Sequence, residues 1–150
     1  MRIGISGTFW PALTTGSGQH LRGLLPALVA TSGEDYILYI PRFALPDSSA
    51  SLDSPVKTRI VATPLDRRNV HLAKLWYEQV ALPRACHRDS VQVLHTPYLG
   101  APLVHSFPVV VTVHDLIPLL LAEYRSSLAV RAYMRLAAWA AQRAQFVIAV

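Results

Sequence analysis

Three segments of this 150-residue chain carry groups suited to binding an anion or sharing charge. Gly16-Ser17-Gly18 stands at the mouth of a helix-forming run. Glycines there let a ligand approach the backbone, and the free amides and dipole of a helix start favour negative charge, so a phosphate or a sugar hydroxyl would fit. The second segment is Val109-Val110-Val111-Thr112-Val113-His114-Asp115, a β-branched run that ends on an imidazole and a carboxylate. Such a histidine can donate to a substrate hydroxyl or share charge in a transition state, and the carboxylate can orient a partner or start a turn. The third is His95-Thr96-Pro97-Tyr98 at the end of the preceding apolar run, where Tyr98 could stack on a sugar ring or belong to a turn set by Pro97.

Several familiar chemistries are disfavoured. The glycine pair is not a dinucleotide fingerprint, because Leu21 stands where a third glycine belongs and the second apolar run ends in Pro41-Arg42 instead of an acidic residue. No Asp-x-Asp pair offers to hold a nucleotide through a divalent metal. His95 and His114 lack a third convergent ligand for zinc. No metal and no cofactor is therefore expected. Trp76 is expected in the core with Glu78 solvated, and Arg131 with Arg135 on a solvated helix face.

The elements that must position these groups follow from periodicity. Residues 2–6 read as a strand, followed by a turn-rich loop over 7–18 and a helix with Leu21, Leu24, Leu25, Leu28 and Val29 on its buried face, kinked by Pro26 and ended near Gly33. Strands are expected at 36–40, 58–62, 91–95, 109–114 and 146–150. A helix over 71–87 would bury Leu72, Leu75, Trp76 and Val80, with Pro83 kinking or ending it. Another, capped by Ser126 or Ser127, would run to about residue 144. The segment 41–55, with Pro, Ser and Asp and no period, is expected to be a mobile surface loop. Alternating strands and helices imply one α/β domain, a doubly wound Rossmann-like parallel sheet with helices on both faces, whose ligands lie beyond the carboxyl ends of the strands.

Composition agrees: 52% hydrophobic and 15% charged residues suit one folded core. No run reads as a transmembrane helix or a signal peptide. A single cysteine, Cys86, fits a reducing, cytoplasmic setting. The net charge of +5 favours anionic partners, either nucleotide phosphates or peripheral contact with the inner membrane face, whereas the scattered arginines argue against nucleic acid. A nicotinamide-dependent oxidoreductase and a non-catalytic binding domain are the competing classes.

Taken in order, Met1-Arg2-Ile3-Gly4-Ile5, Gly16-x-Gly18-Gln19-His20-Leu21, Leu24-Leu25-Pro26-Ala27-Leu28, Trp76 to Pro83, Val93-Leu94-His95-Thr96-Pro97-Tyr98, Val111-Thr112-Val113-His114-Asp115-Leu116-Ile117-Pro118 and Val147-Ile148-Ala149-Val150 resemble the N-terminal domain of retaining glycosyltransferases of family 4, group 1. Those enzymes have the two-domain GT-B fold. The resemblance implies that residues 1–150 form the acceptor-side domain and that a C-terminal domain, absent here, binds most of the nucleotide-sugar donor and supplies a pair of glutamates. Such a chain alone would be inactive. It further implies metal-independent transfer of a hexosyl-type sugar to an acceptor hydroxyl, on a saccharide or lipid-linked saccharide. Gly16, Ser17 and Gly18 would lie near the donor, His114 would contact a donor-sugar hydroxyl, and His20, Thr96, Tyr98 and Asp115 would face the acceptor.

Overall fold

The computed structural model describes residues 1–45, 53–117 and 127–150. Its elements are β1 (Arg2–Ser6), α1 (Gly16–Thr31), β2 (Asp35–Pro41), β3 (Lys57–Val61), α2 (Val70–Trp76), a π-helical turn (Tyr77–Ala81), α3 (Leu82–Arg88), β4 (Val93–Thr96), β5 (Val109–Val113), α4 (Leu128–Gln142) and β6 (Phe146–Ala149). The six strands form one sheet in the order β3-β2-β1-β4-β5-β6, and every neighbouring pair is parallel. The order reverses between β1 and β4. In open sheets of this kind the carboxyl edge at such a junction is where a ligand binds.

β2 shows why this sheet is doubly covered. Its alternate residues Tyr36, Leu38 and Ile40 join Ile5, Trp10, Leu21 and Leu25 in one buried cluster, so α1 lies on that face. Ile37 and Tyr39 join Tyr77, Leu82, Cys86, Leu94, Val109 and Val111 in the other, beneath the helices that follow β3 and β5. A strand apolar on both faces needs this architecture.

Several expectations are corrected. α1 begins at Gly16, inside the anticipated loop, because the Thr15 side chain accepts from the Gly18 amide and caps the first turn. It continues through Pro26 to Thr31, where the Ser32 amide bonds the Leu28 carbonyl; Gly33 lies just past this end as expected, though not in the left-handed conformation. Leu21 and Leu25 are fully buried and Leu28 packs partly buried against the same cluster, whereas Val29 is exposed. The segment 70–88 departs most. Leu72 and Trp76 point to solvent, and the buried side chains are Ala73, Tyr77, Glu78, Leu82, Ala85 and Cys86. The π turn, in which the Leu82 amide reaches back to the Tyr77 carbonyl, shifts the phase of the helix so that consecutive Tyr77 and Glu78 both face inward. Glu78 is therefore buried, not solvated. Pro83 neither ends nor interrupts this segment: α3 continues through it, with Pro83 in its first turn.

Within 41–55, Arg42–Ala44 forms a short 3-10 turn, and residues 46–52 of that anticipated loop lie outside the described residues. So do Pro118 and Ser126; Ser127 caps α4 by accepting from the Val130 amide.

Candidate functional site

At the carboxyl edge of the sheet the start of α1, the loop after β4 and the tip of β5 meet through His20, Pro97 and His114. At α1 the two glycines have different duties. A Cβ on Gly18 would overlap the Ala12 carbonyl and stand 2.8 Å from the Phe9 oxygen, so this residue keeps the loop folded against the helix. A Cβ on Gly16 would meet open space. The Gly18 amide is already held by Thr15 Oγ1 at 3.1 Å, whereas Gly16 N–H and Ser17 N–H, in the first helical turn, have no acceptor among the described residues. The anion-binding capacity of this helix start therefore rests on residues 16 and 17.

One turn along, the His20 ring meets the His114 ring edge-on, with centroids 4.6 Å apart and planes at 79°. This contact brings the start of α1 and the tip of β5 together. Burial, and then the neighbouring His114, push the His20 pKa down. His114 Nε2 lies 3.1 Å from the Pro97 carbonyl oxygen. A carbonyl only accepts, so Nε2 carries the proton and neutral His114 has Nδ1 left as an acceptor. Neutral His114 would thus take a hydrogen bond from a hydroxyl instead of donating one. Asp115 is exposed, and its Oδ1 accepts from the Ile117 amide at 3.0 Å, an Asx turn that shapes the chain leaving β5.

The β4 end is more enclosed than expected. His95 is buried, bonded through Nε2 to Thr112 Oγ1 at 2.8 Å, and burial lowers its pKa to about 4, so it is neutral at physiological pH. Thr96 is fully buried and donates to the Val110 carbonyl. Tyr98 is 6% exposed, with its hydroxyl 2.9 Å from Thr8 Oγ1 and 3.2 Å from Ser6 Oγ and its ring edge-on to Phe9. It braces the end of β1 and offers no open face for stacking on a sugar.

Behind Tyr98 is a cluster that sequence reasoning missed. The Glu78 carboxylate, 1% exposed, accepts from the Tyr133 hydroxyl at 3.1 Å and lies 3.8 Å from Lys74 Nζ. The Lys74 ammonium sits near the rings of Tyr133, Tyr98 and Phe9, at 4.7, 5.7 and 5.8 Å. Burial raises the Glu78 pKa to about 7, against the opposing pull of Lys74, Tyr133 and Tyr98. The spacing of Lys74 and Glu78 at i, i+4 was the available signal, but without the π turn it describes a solvated pair. Among the described residues no group of three His, Cys, Asp or Glu side chains converges as a metal site, and no helix is long and apolar enough to cross a membrane.

No curated protein matches the chain. The family model described as Glycosyltransferase Family 4 matches residues 14–150, which takes in α1, the His20–His114 contact and every later element. With Pro41 and Arg42 at the end of β2, that match sets aside the nicotinamide-dependent reading. The parallel Rossmann-like sheet agrees with that match, and the chain belongs to Glycosyltransferase Family 4 as an N-terminal domain of that family.

Proposed function

We propose that this domain is the acceptor-side half of a retaining, nucleotide-sugar-dependent glycosyltransferase, and that the carboxyl edge of its sheet contributes to transfer of a hexosyl-type sugar to an acceptor hydroxyl. The observation that carries the reading is the His20–His114 contact, which brings a histidine with an unused acceptor nitrogen to the helix whose first turn holds the unpaired amides of Gly16 and Ser17. In the reaction the anomeric C–O bond to the diphosphate breaks and a bond to the acceptor oxygen forms. Negative charge grows on the departing diphosphate, which takes up the proton released by the acceptor hydroxyl. The amides of residues 16 and 17 suit that anion, and His114 Nδ1 suits a hydroxyl of the transferred sugar. His20 and Asp115 retain exposed surface for an acceptor, while Thr96 and Tyr98 would act on it only by fixing the loop behind.

A second domain is part of the proposal. Phe146, Val147, Ile148 and Val150 are all exposed, although parallel strands are ordinarily covered on both faces, which supports a covering structure over β6. Peripheral contact with an anionic membrane face is supported by Arg84 and Arg88, which border a groove of about 350 Å³ also lined by Trp76 and Ile60. Residence in the cytoplasm fits the lone buried thiol of Cys86, which burial pushes up to about 12 and so keeps unreactive.

The test is release of nucleoside diphosphate by the full-length protein from a panel of uridine, guanosine and adenosine diphosphate hexoses, with mono- and disaccharide acceptors. Turnover of one donor is expected, and His114→Ala should lower kcat by roughly a hundredfold with folding intact. Wild-type turnover in that variant would remove His114 from the chemistry. Absence of turnover across the panel, with donor binding also absent, would favour a non-catalytic binding domain.

A further inference from the structure

The π turn between α2 and α3 presents two polar residues to one loop. Gln79 Nε2 donates to the Ala101 carbonyl at 3.0 Å, and its Oε1 accepts from the Leu103 amide at 3.0 Å, so one side chain clamps the backbone of the loop after β4 at two points. Its neighbour Glu78 closes the same loop from below. A Cβ at Gly100 would stand 2.6 Å from Glu78 Oε1 and overlap the Tyr98 ring, which means the carboxylate rests against a tight turn whose Gly100 amide bonds back to the Tyr98 carbonyl at 2.9 Å. Tyr133 from α4 and Lys74 from α2 hold that carboxylate in place. The next residue back along the loop is Pro97, whose carbonyl receives the His114 Nε2–H.

We propose that Glu78 and Gln79 are positioning residues for His114, acting through the loop at 97–103. The inference rests on the reading of His114 as the residue that contacts the transferred sugar. Its physical basis is that a ring held by one hydrogen bond is only as well placed as the carbonyl it donates to. That carbonyl belongs to a segment without helix or strand of its own, fixed to the body by these two side chains together with Tyr98, whose hydroxyl meets Ser6 and Thr8. A buried carboxylate with a cation and a phenol as partners is costly to retain for packing alone. π turns inside helices frequently mark functional sites.

The experiment uses the full-length protein with Glu78→Gln, Gln79→Ala and Tyr133→Phe, beside wild type and His114→Ala. Deuterium uptake over 97–103 is followed together with kcat and donor KM, the donor being whichever member of the diphosphate-hexose panel the wild type consumes. Glu78→Gln and Gln79→Ala should each speed exchange across 97–103 about tenfold and lower kcat about tenfold, with donor KM within about twofold. Tyr133→Phe, which leaves the carboxylate in place, should show the same changes in smaller degree. Unchanged exchange in both Glu78→Gln and Gln79→Ala overturns the proposal. A loosened loop with wild-type kcat overturns it too, since that is a structural role alone. Loss of kcat in Glu78→Gln alongside wild-type kcat in His114→Ala overturns the route through His114. If the wild type turns over no donor, the functional reading fails while the exchange measurement still decides whether these side chains hold the loop.

Discussion

Gly16 and Gly18, two residues apart, divide the work of the helix start between them. Gly18 is demanded by the backbone of the preceding loop, and Gly16 by nothing the chain itself places nearby. Gly18→Ala should therefore destabilise the protein by about 3 kcal/mol, because the added methyl drives two carbonyls apart. Gly16→Ala should leave the unfolding midpoint within about 0.5 kcal/mol of wild type and act, if at all, on ligand affinity. Equal losses from the two substitutions in a chemical denaturation series would contradict this division. The sequence pointed to both glycines and to His114, because a helix mouth and a strand end are legible as changes in local pattern. It did not show that Gly18 N–H is consumed by Thr15, nor that the proton of His114 is committed to Pro97, since both depend on where a loop returns.

Among the elements, the strands were the most legible. Short β-branched runs such as Val109-Val110-Val111 can be covered on both faces only in a parallel sheet, and all six strands lie within a residue or two of their expected positions. The helix over 70–88 was legible in extent and not in orientation. One extra residue in its π turn rotates everything before it relative to everything after it, so Leu72 and Trp76 face out and Glu78 in. The cap of α1 gives a local prediction: Thr15→Ala should cost about 1 kcal/mol, and Thr15→Ser should restore most of it. The loss is measured by thermal unfolding, and a silent Thr15→Ala would mean that the Gly18 amide finds another acceptor.

For the whole molecule, two buried titratable groups oppose each other in acid. His95, with a folded pKa near 4 against 6.5 unfolded, resists protonation; as pH falls from 6.5 to 4 the unfolded chain takes up a proton that the folded one refuses, at a cost of about 3 kcal/mol. Glu78 works the other way. Its folded pKa near 7 against 4.5 means that the folded state takes the proton first as pH falls from 7 to 4.5, contributing about 3 kcal/mol in favour of folding. The groups facing it, Lys74 on α2, Tyr98 on the loop and Tyr133 on α4, are accounted for in that direction. Wild type should therefore hold its stability between pH 7 and 4.5 better than Glu78→Gln, which leaves the histidine cost uncompensated. Urea midpoints that fall in parallel for the two proteins would contradict this. Neither group's burial was visible in the sequence, because both depend on which face a neighbouring element covers.

The central claim is that the start of α1 and the tip of β5 form one ligand site. Deuterium exchange of the full-length protein, with and without a saturating nucleoside diphosphate hexose, tests it most directly. Simultaneous protection of segments 14–20 and 112–116, lost from both on Gly16→Trp, is the predicted result. Protection confined to residues outside both segments, in a protein that binds the donor, would contradict it.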